Sequence, residues 1–272
     1  MRKREKHLKV VDSHMHTSDV WWEPIEAHLF QMDRNGVDQA VLIQFWGQDD
    51  NSYHAHVQRR FPGRFANVVY VDPSRPDAID DLARLAEQGA SGVRLRPQTR
   101  SPGDDPLAIW RAAARLDLTV SCGGAFFRDE ADDDFTRVIE AVPQTRIVIE
   151  HLGAASRPDK TDAERALRRR AIALARFANV FMRIPGLGEF ATRALPPRPG
   201  KPFVEPIPDL LQVVYDAFGP DRMMWGSDFP NTSQREGYAN ALNLCRAQFA
   251  SRPQADVDLI FGGVAARLFP VR

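Results

Sequence analysis

Short apolar, β-branched runs recur along the 272-residue chain, separated by longer segments whose apolar positions fall at helical spacing. The runs at 9–13, 39–44, 66–71, 91–95, 118–122, 146–150, 180–184 and 222–226 read as eight strands. Segments such as PIEAHLFQMDRNG (24–36) and PDAIDDLARLAEQG (76–89) open on proline and end on glycine, the punctuation of a helix. Strict β/α alternation implies a parallel sheet covered by helices, and eight repeats in one chain predict an α/β fold closed as a (β/α)8 TIM barrel. An open doubly wound sheet would want a glycine-rich phosphate turn after its first strand, and VVDSHMH (10–16) has no glycine. We therefore expect residues 1–272 to form a single barrel domain. Two segments break the rhythm. The proline- and glycine-rich stretch 185–208 is expected to be a long active-site loop, with the shorter 229–238 beside it. The final segment, QADVDLIFGGVAARLF (254–269), is expected to close the barrel.

Composition narrows the class of partner. Lys plus Arg and Asp plus Glu both number 36, so the formal net charge is zero and no global field favours nucleic acid or an anionic membrane. No apolar stretch approaches the ~20 residues of a bilayer span. The basic start MRKREKHLK lacks the apolar core of a secretion signal, and 1–8 read as a solvated tail. Cys122 and Cys245 lie far apart with no C-x-x-C pattern, so both are expected to be reduced in a cytoplasmic protein. The expected partner is a small molecule. Oligomeric state stays open, a homodimer being one option.

In a barrel the chemistry sits at the carboxyl ends of the strands. Strand one offers Asp12, His14 and His16, the two imidazoles on one face because i and i+2 share a side of a strand. Strand two ends in Gln44, Phe45 and Trp46, with Tyr53 shortly after; strand four offers Arg94 and Arg96; strand five Ser121, Cys122, Gly123 and Gly124. Strand six gives Glu150 and His151, strand seven Arg183, strand eight Ser227 and Asp228. The bland readings stand beside these. The histidines could be hydrogen-bonded core residues, Asp228 could cap the next helix, and the arginines could be structural partners of Glu150 or Asp12 rather than a clamp for a substrate carboxylate. His54 and His56 repeat the H-x-H spacing, but within a helix, and read as surface residues.

D-x-H-x-H after strand one, E-H-L-G after strand six and W-G-S-D-F-P after strand eight resemble the amidohydrolase superfamily. More narrowly they resemble its amidohydrolase-related group, which holds lactone hydrolases such as the pyrone-dicarboxylate lactonases and also nonoxidative decarboxylases. The resemblance implies that His14 and His16 are the pair that binds a divalent metal in metal-dependent members. It implies that Asp228 is metal ligand or general base, and that His151 orients substrate or water. Metal-dependent relatives usually carry a histidine at the end of strand five, where this chain has Cys122 and Gly123, and Arg94 stands near the place of the carbamylated lysine of binuclear members. The implied cofactor is thus either none or one divalent ion, zinc or manganese, on His14, His16 and Asp228, with Cys122 as a further soft donor to consider.

The leading expectation is a hydrolase that opens a carboxylated lactone or related cyclic ester. Asp228 would be the base, His14, His16 and His151 would orient water and substrate, and Arg94, Arg96, Arg183, Trp46 and Tyr53 would bind the substrate. A metal-dependent decarboxylase of an aromatic or muconate-type acid is the alternative, and a barrel turned to another reaction or to binding alone is the third.

Overall fold

The computed structural model describes residues 9–129, 131–154, 157–198 and 201–272; the expected tail at 1–8 lies outside them. Eight parallel strands form a nearly closed barrel: β1 (Val11–Met15), β2 (Gln39–Ile43), β3 (Phe65–Val69), β4 (Gly92–Leu95), β5 (Thr119–Cys122), β6 (Ile147–Ile149), β7 (Val180–Ile184) and, after an antiparallel hairpin of β8 (Arg193–Arg198) and β9 (Lys201–Phe203), β10 (Met223–Trp225). All eight expected strands are present, each within a few residues of its expected bounds. The first runs on to Met15, so His14 stands inside it. The helices follow the expected punctuation. Ile25–Asn35 starts after Pro24 and stops at Gly36, which takes the left-handed conformation (φ 68°) that ends a helix. Asp162–Ala173 carries a full capping box between Thr161 and Glu164.

Strand alternation sorts the side chains into two layers. Val120, Cys122, Ile147 and Ile149 pack outward against the helices in the larger core. Val41, Ile43, Ala66, Val68, Val148, Phe181 and Met224 fill the lumen. One step nearer the carboxyl ends, the lumen turns polar at Arg94, Ser121, Glu150 and Arg183, all buried. A site at the mouth therefore rests on a floor of paired charges rather than on hydrocarbon.

The seam between β1 and β10 is closed mainly by side chain and loop. The amide of Ser227 donates to Asp12 Oδ1 at 2.8 Å, and the Tyr238 hydroxyl donates to Asp12 Oδ2 at 2.9 Å. Beyond it, Asp228 N donates to His14 O (2.9 Å) and His16 N to Phe229 O (2.8 Å). Asp12 is thus a seam residue, and the same ladder fixes Asp228 beside the two histidines.

As expected, the C-terminal segment stoppers the other end, though in three pieces: helices Gln254–Asp258 and Val264–Leu268 flank a π-helical turn, Leu259–Gly263. Val264, Ala265, Leu268 and Phe269 complete the lumen cluster. The fit is tight at Gly262, where a Cβ would lie 1.9 Å from the carbonyl oxygen of Lys9, just before β1. Gly262→Ala must push the stopper off β1, and overpacking of this kind costs roughly 1–3 kcal/mol. We expect that loss in denaturant unfolding; a variant as stable as the parent would contradict the close approach.

Candidate active site

The two strand-one imidazoles meet as their spacing predicts, with His14 Nε2 and His16 Nε2 3.0 Å apart. Asp228 Oδ1 joins them at 3.6 Å from His14 Nε2 and 3.4 Å from His16 Nε2. Asp228 has φ 58°, and His151 and Leu152 have φ 52° and 55°, left-handed conformations that non-glycine residues hold only when the surroundings impose them. The Asp228 side chain does not cap the short helix that follows; it accepts from Asn231 Nδ2 (3.2 Å) and Arg235 Nη1 (3.0 Å).

Below this triangle Glu150 sits between two arginines. Arg94 Nη2 donates to its Oε2 at 2.8 Å, Arg183 Nη1 lies 3.5 Å from its Oε1, and the Ser121 hydroxyl donates to that same oxygen at 2.6 Å. Burial by itself would raise the Glu150 carboxyl, but Arg94 and then Arg183 hold it at about 2. The reading of these arginines as partners of Glu150 is the one the geometry favours, while Arg94 Nε and Arg183 Nη2 are buried donors without a hydrogen-bond partner among the described residues.

Glu150 also accounts for the missing strand-five histidine. A Cβ at Gly123 would stand 2.1 Å from Glu150 Oε2, so the carboxylate occupies the space a side chain would need. Cys122 is no substitute. It points outward into the core between sheet and helices, and burial drives its thiol well above its ordinary pKa.

A divalent ion would impose its own spacing and lone-pair demands on this donor set. Ligand atoms on one face of a tetrahedral site with bonds of 2.0–2.1 Å lie about 3.3 Å apart, and the three separations above match that spacing. His16 is also prepared as a ligand, since its Nδ1 donates to Ile43 O at 2.8 Å and leaves Nε2 with a lone pair. His14 is not. Arg183 Nη1 stands 3.0 Å from His14 Nδ1, and a guanidinium is only ever a donor. His14 Nδ1 therefore accepts, its proton sits on Nε2, and that N–H donates to His16 Nε2. Burial and the neighbouring Arg183 push His14 well below its ordinary pKa, so it is neutral. One lone pair of the three is missing, and the set does not fit a tightly held ion in this arrangement.

Two side chains that sequence reasoning passed over complete the mouth. Glu189, in the first turn of the long loop, receives His151 Nδ1–H with both oxygens at 2.9 Å. Arg235, from the neighbouring loop, lies 3.2 Å from Glu189 Oε1 while its Nη1 reaches Asp228 Oδ2. Burial alone would lower the His151 imidazolium, but Glu189, with Asp228 and Glu150 beyond it, raises it to about 9. Burial would raise Asp228, yet the imidazoles of His16, His151 and His14 around it, with His151 the cationic one, hold it well below the usual carboxylate range. The only sequence signal for Glu189 was a lone carboxylate between the glycines and aromatics of PGLGEF (185–190).

The aromatic candidates divide. Trp46 carries both Arg94 (4.2 Å to its ring) and Arg96 (4.7 Å), and Arg96 is exposed with no acidic partner among the described residues. Tyr53 is engaged elsewhere, its hydroxyl accepting from the Ile25 amide at 3.2 Å and so fixing the first helix. Trp22, unremarked in the sequence, stacks on His16 at 5.5 Å. The surface reading of His54 is corrected. Helix Ser52–Arg60 turns 54, 57 and 58 inward, so His54 is 2% exposed and donates to Thr17 O, and only His56 is on the surface. A cavity of 590 Å³ runs from Trp46, Arg94, Glu150 and His151 outward to Phe126 and Phe127.

Comparison with known proteins adds the following. A family model described as Amidohydrolase matches residues 3–271. An L-fucono-1,5-lactonase of Burkholderia ambifaria is 29% identical over 243 residues, 81% of this chain and 80% of its own. A 4-sulfomuconolactone hydrolase of Rhizobium radiobacter is 24% identical over 213 residues, 77% of this chain and 67% of its own. A solved amidohydrolase from Burkholderia multivorans with bound zinc shares the fold, with a TM-score of 0.74 at 22% identity, covering 96% of this chain and 99% of that one.

Two outcomes are expected. NMR titration of the His151 ring should give a midpoint near 9 rather than 6.5, the imidazolium persisting through neutral pH and vanishing above 9. Gly123→Ala should expel Glu150 from Arg94 and, by stranding buried charge, lose about 3–5 kcal/mol of stability in chemical unfolding.

Proposed function

The chain belongs to the amidohydrolase family and is a lactonase-like hydrolase, and from that premise we propose that it opens a lactone or related cyclic ester bearing an anionic group. The observation that carries the proposal is the opposed pair at the mouth. An ionised carboxylate, Asp228, and a cationic imidazole, His151, have a ligand oxygen and nitrogen within 4.8 Å of each other in one buried site. Environments that push two titrating groups apart in this way assign base and acid.

Asp228 accepts a proton from the attacking water. As the carbonyl carbon becomes tetrahedral, negative charge grows on its oxygen and is met by the cationic side chains of the site. Arg94, Arg183, Arg235 and His151 are the cations here, set among the carboxylates Glu150, Glu189 and Asp228, with Asp12 near Arg183 and Glu236 near Arg235. Cations at the mouth favour an anionic substrate. Arg96, exposed on the Trp46 face and free of acidic partners among the described residues, anchors the substrate's charged group, with the leftover donors Arg94 Nε and Arg183 Nη2 deeper in. The named relatives, an L-fucono-1,5-lactonase and a 4-sulfomuconolactone hydrolase, support lactone opening, and the second name also carries an anionic group. From the segment after β7, the turn Leu187–Glu189 lends Glu189 to the mouth. With the His14 proton on Nε2, the reaction proposed here is carried by these side chains.

Asp228→Asn should lower kcat by about 10²–10⁴-fold on a carboxylated lactone, measured by pH-stat or absorbance; full turnover in that variant would overturn the base assignment. Exhaustive chelation should leave lactonase activity intact, whereas loss on chelation and recovery with zinc or manganese would reinstate the metal. Arg96→Met should raise KM about 10- to 100-fold for carboxylated lactones and leave uncharged ones unchanged, the scale of one charge-assisted hydrogen bond.

A further inference from the structure

We propose that His151 donates the proton that the leaving oxygen needs when the ring opens, and that Glu189 is the positioning residue that aims it. This rests on the lactone hydrolysis proposed above.

Ring opening breaks the bond between the acyl carbon and the ring oxygen. The bonding electrons leave with that oxygen, which becomes an alkoxide unless a proton reaches it. The attacking water supplies the hydroxyl on the acyl carbon and gives one proton to Asp228. A second proton, from His151 Nε2, goes to the ring oxygen. The products are a carboxylic acid and an alcohol, and proton transfer from Asp228 back to His151 resets both groups. No other reactant is required.

Three observations place this role on His151. Its Nδ1 is fully committed to Glu189, 2.9 Å from both oxygens, so the proton it has to give is the one on Nε2. Nε2 faces the inside of the site, 4.0 Å from Glu150 Oε2, and the His151 ring lies 5.0 Å from that of His14. His14 cannot serve as the donor, because its Nε2–H is directed at His16 Nε2 and its Nδ1 is held by Arg183.

Glu189 is built for orientation. It is 1% exposed although it belongs to a loop, and its turn, Leu187–Glu189, is wedged against the helix loop that carries Arg235 and Glu236. Gly186 and Gly188 allow that wedge: a Cβ at Gly186 would lie 2.2 Å from Glu236 Oε1, and one at Gly188 would lie 2.9 Å from the Arg235 Cβ. Arg235 then ties Glu189 to Asp228, so the residue that takes a proton and the residue that aims the donor share one guanidinium. A carboxylate on Nδ1 fixes the ring plane and sharpens the direction of the opposite N–H, as it does wherever a carboxylate backs a catalytic histidine.

The test compares Glu189→Gln, His151→Gln and the double variant on two lactones, an alkyl lactone with a poor leaving alkoxide and an enol lactone with a good leaving group. On the alkyl lactone we expect each single variant to lose about 10²–10⁴-fold in kcat. The double variant should lose no more than His151→Gln alone, because Glu189 acts through His151. On the enol lactone the losses should shrink to a few-fold, since an enolate leaves without a proton. Multiplicative losses in the double variant, or equal losses on both lactones, overturn the assignment and leave Glu189 as a structural partner of Arg235. Thermal unfolding of each variant separates a folding defect from a chemical one, and Glu189→Asp, which keeps the charge, should recover part of the alkyl-lactone rate. A wild-type protein inactive on every lactone would overturn the proposed function and this step with it, whereas an active wild type with multiplicative losses overturns only this step.

Discussion

The carboxylate of Glu150 lies in the barrel lumen between Arg94 and Arg183, and most of the site is arranged around that fact. Three charges this deep are tolerable only because they are mutually paired, and removing one would strand the others. Glu150 holds Arg183 where its Nη1 meets His14 Nδ1, and this decides which nitrogen of His14 keeps its proton. It also fills the space beside Gly123, so the strand-five corner has no room for another ligand. One buried ion cluster thus sets a tautomer, closes a coordination position and gives the mouth its polar floor.

Above that floor the charges are divided by loops rather than strands. Asp228 is fixed by the β1–β10 seam, where backbone hydrogen bonds run to His14 and from His16, and its left-handed backbone turns the carboxylate inward. His151 leaves β6 in the same strained conformation and is gripped by a carboxylate from the loop after β7. Arg235 then bridges the two acids. Base and cation are held close without neutralising each other, because each has its own partner: Asn231 and Arg235 for Asp228, Glu189 for His151. The cations His151 and Arg235 are what an anionic substrate or a developing oxyanion would meet.

Much of this was legible before any coordinates. The strand ends put Arg94, Glu150 and Arg183 at one mouth of the barrel, and the H-x-H spacing put two imidazoles together. The pairing of arginines with Glu150 was among the readings open from the sequence, and it is the one realised. Less legible were side chains on segments with no period. Glu189 and Arg235 sit on a 3-10 turn and a one-turn helix, too short for spacing to carry direction, and Tyr53 looked available until its hydroxyl proved to hold the Ile25 amide. His54 was misplaced for a related reason: a helix hides one of two residues at i and i+2, and only packing says which.

The sequence by itself determined the barrel, because hydrophobic period and turn residues are local properties that any chain of this pattern must satisfy. It also determined which residue types arrive at the strand ends, since strand order in a β/α barrel follows chain order. Tertiary structure decided their chemistry. Arg94 and Glu150 are 56 residues apart, Arg183 and His14 169, and His151 and Glu189 38. Whether a histidine is a ligand, a cation or a neutral donor depends on which charge lies within 3 Å of each ring nitrogen, and that distance exists only once the barrel has closed.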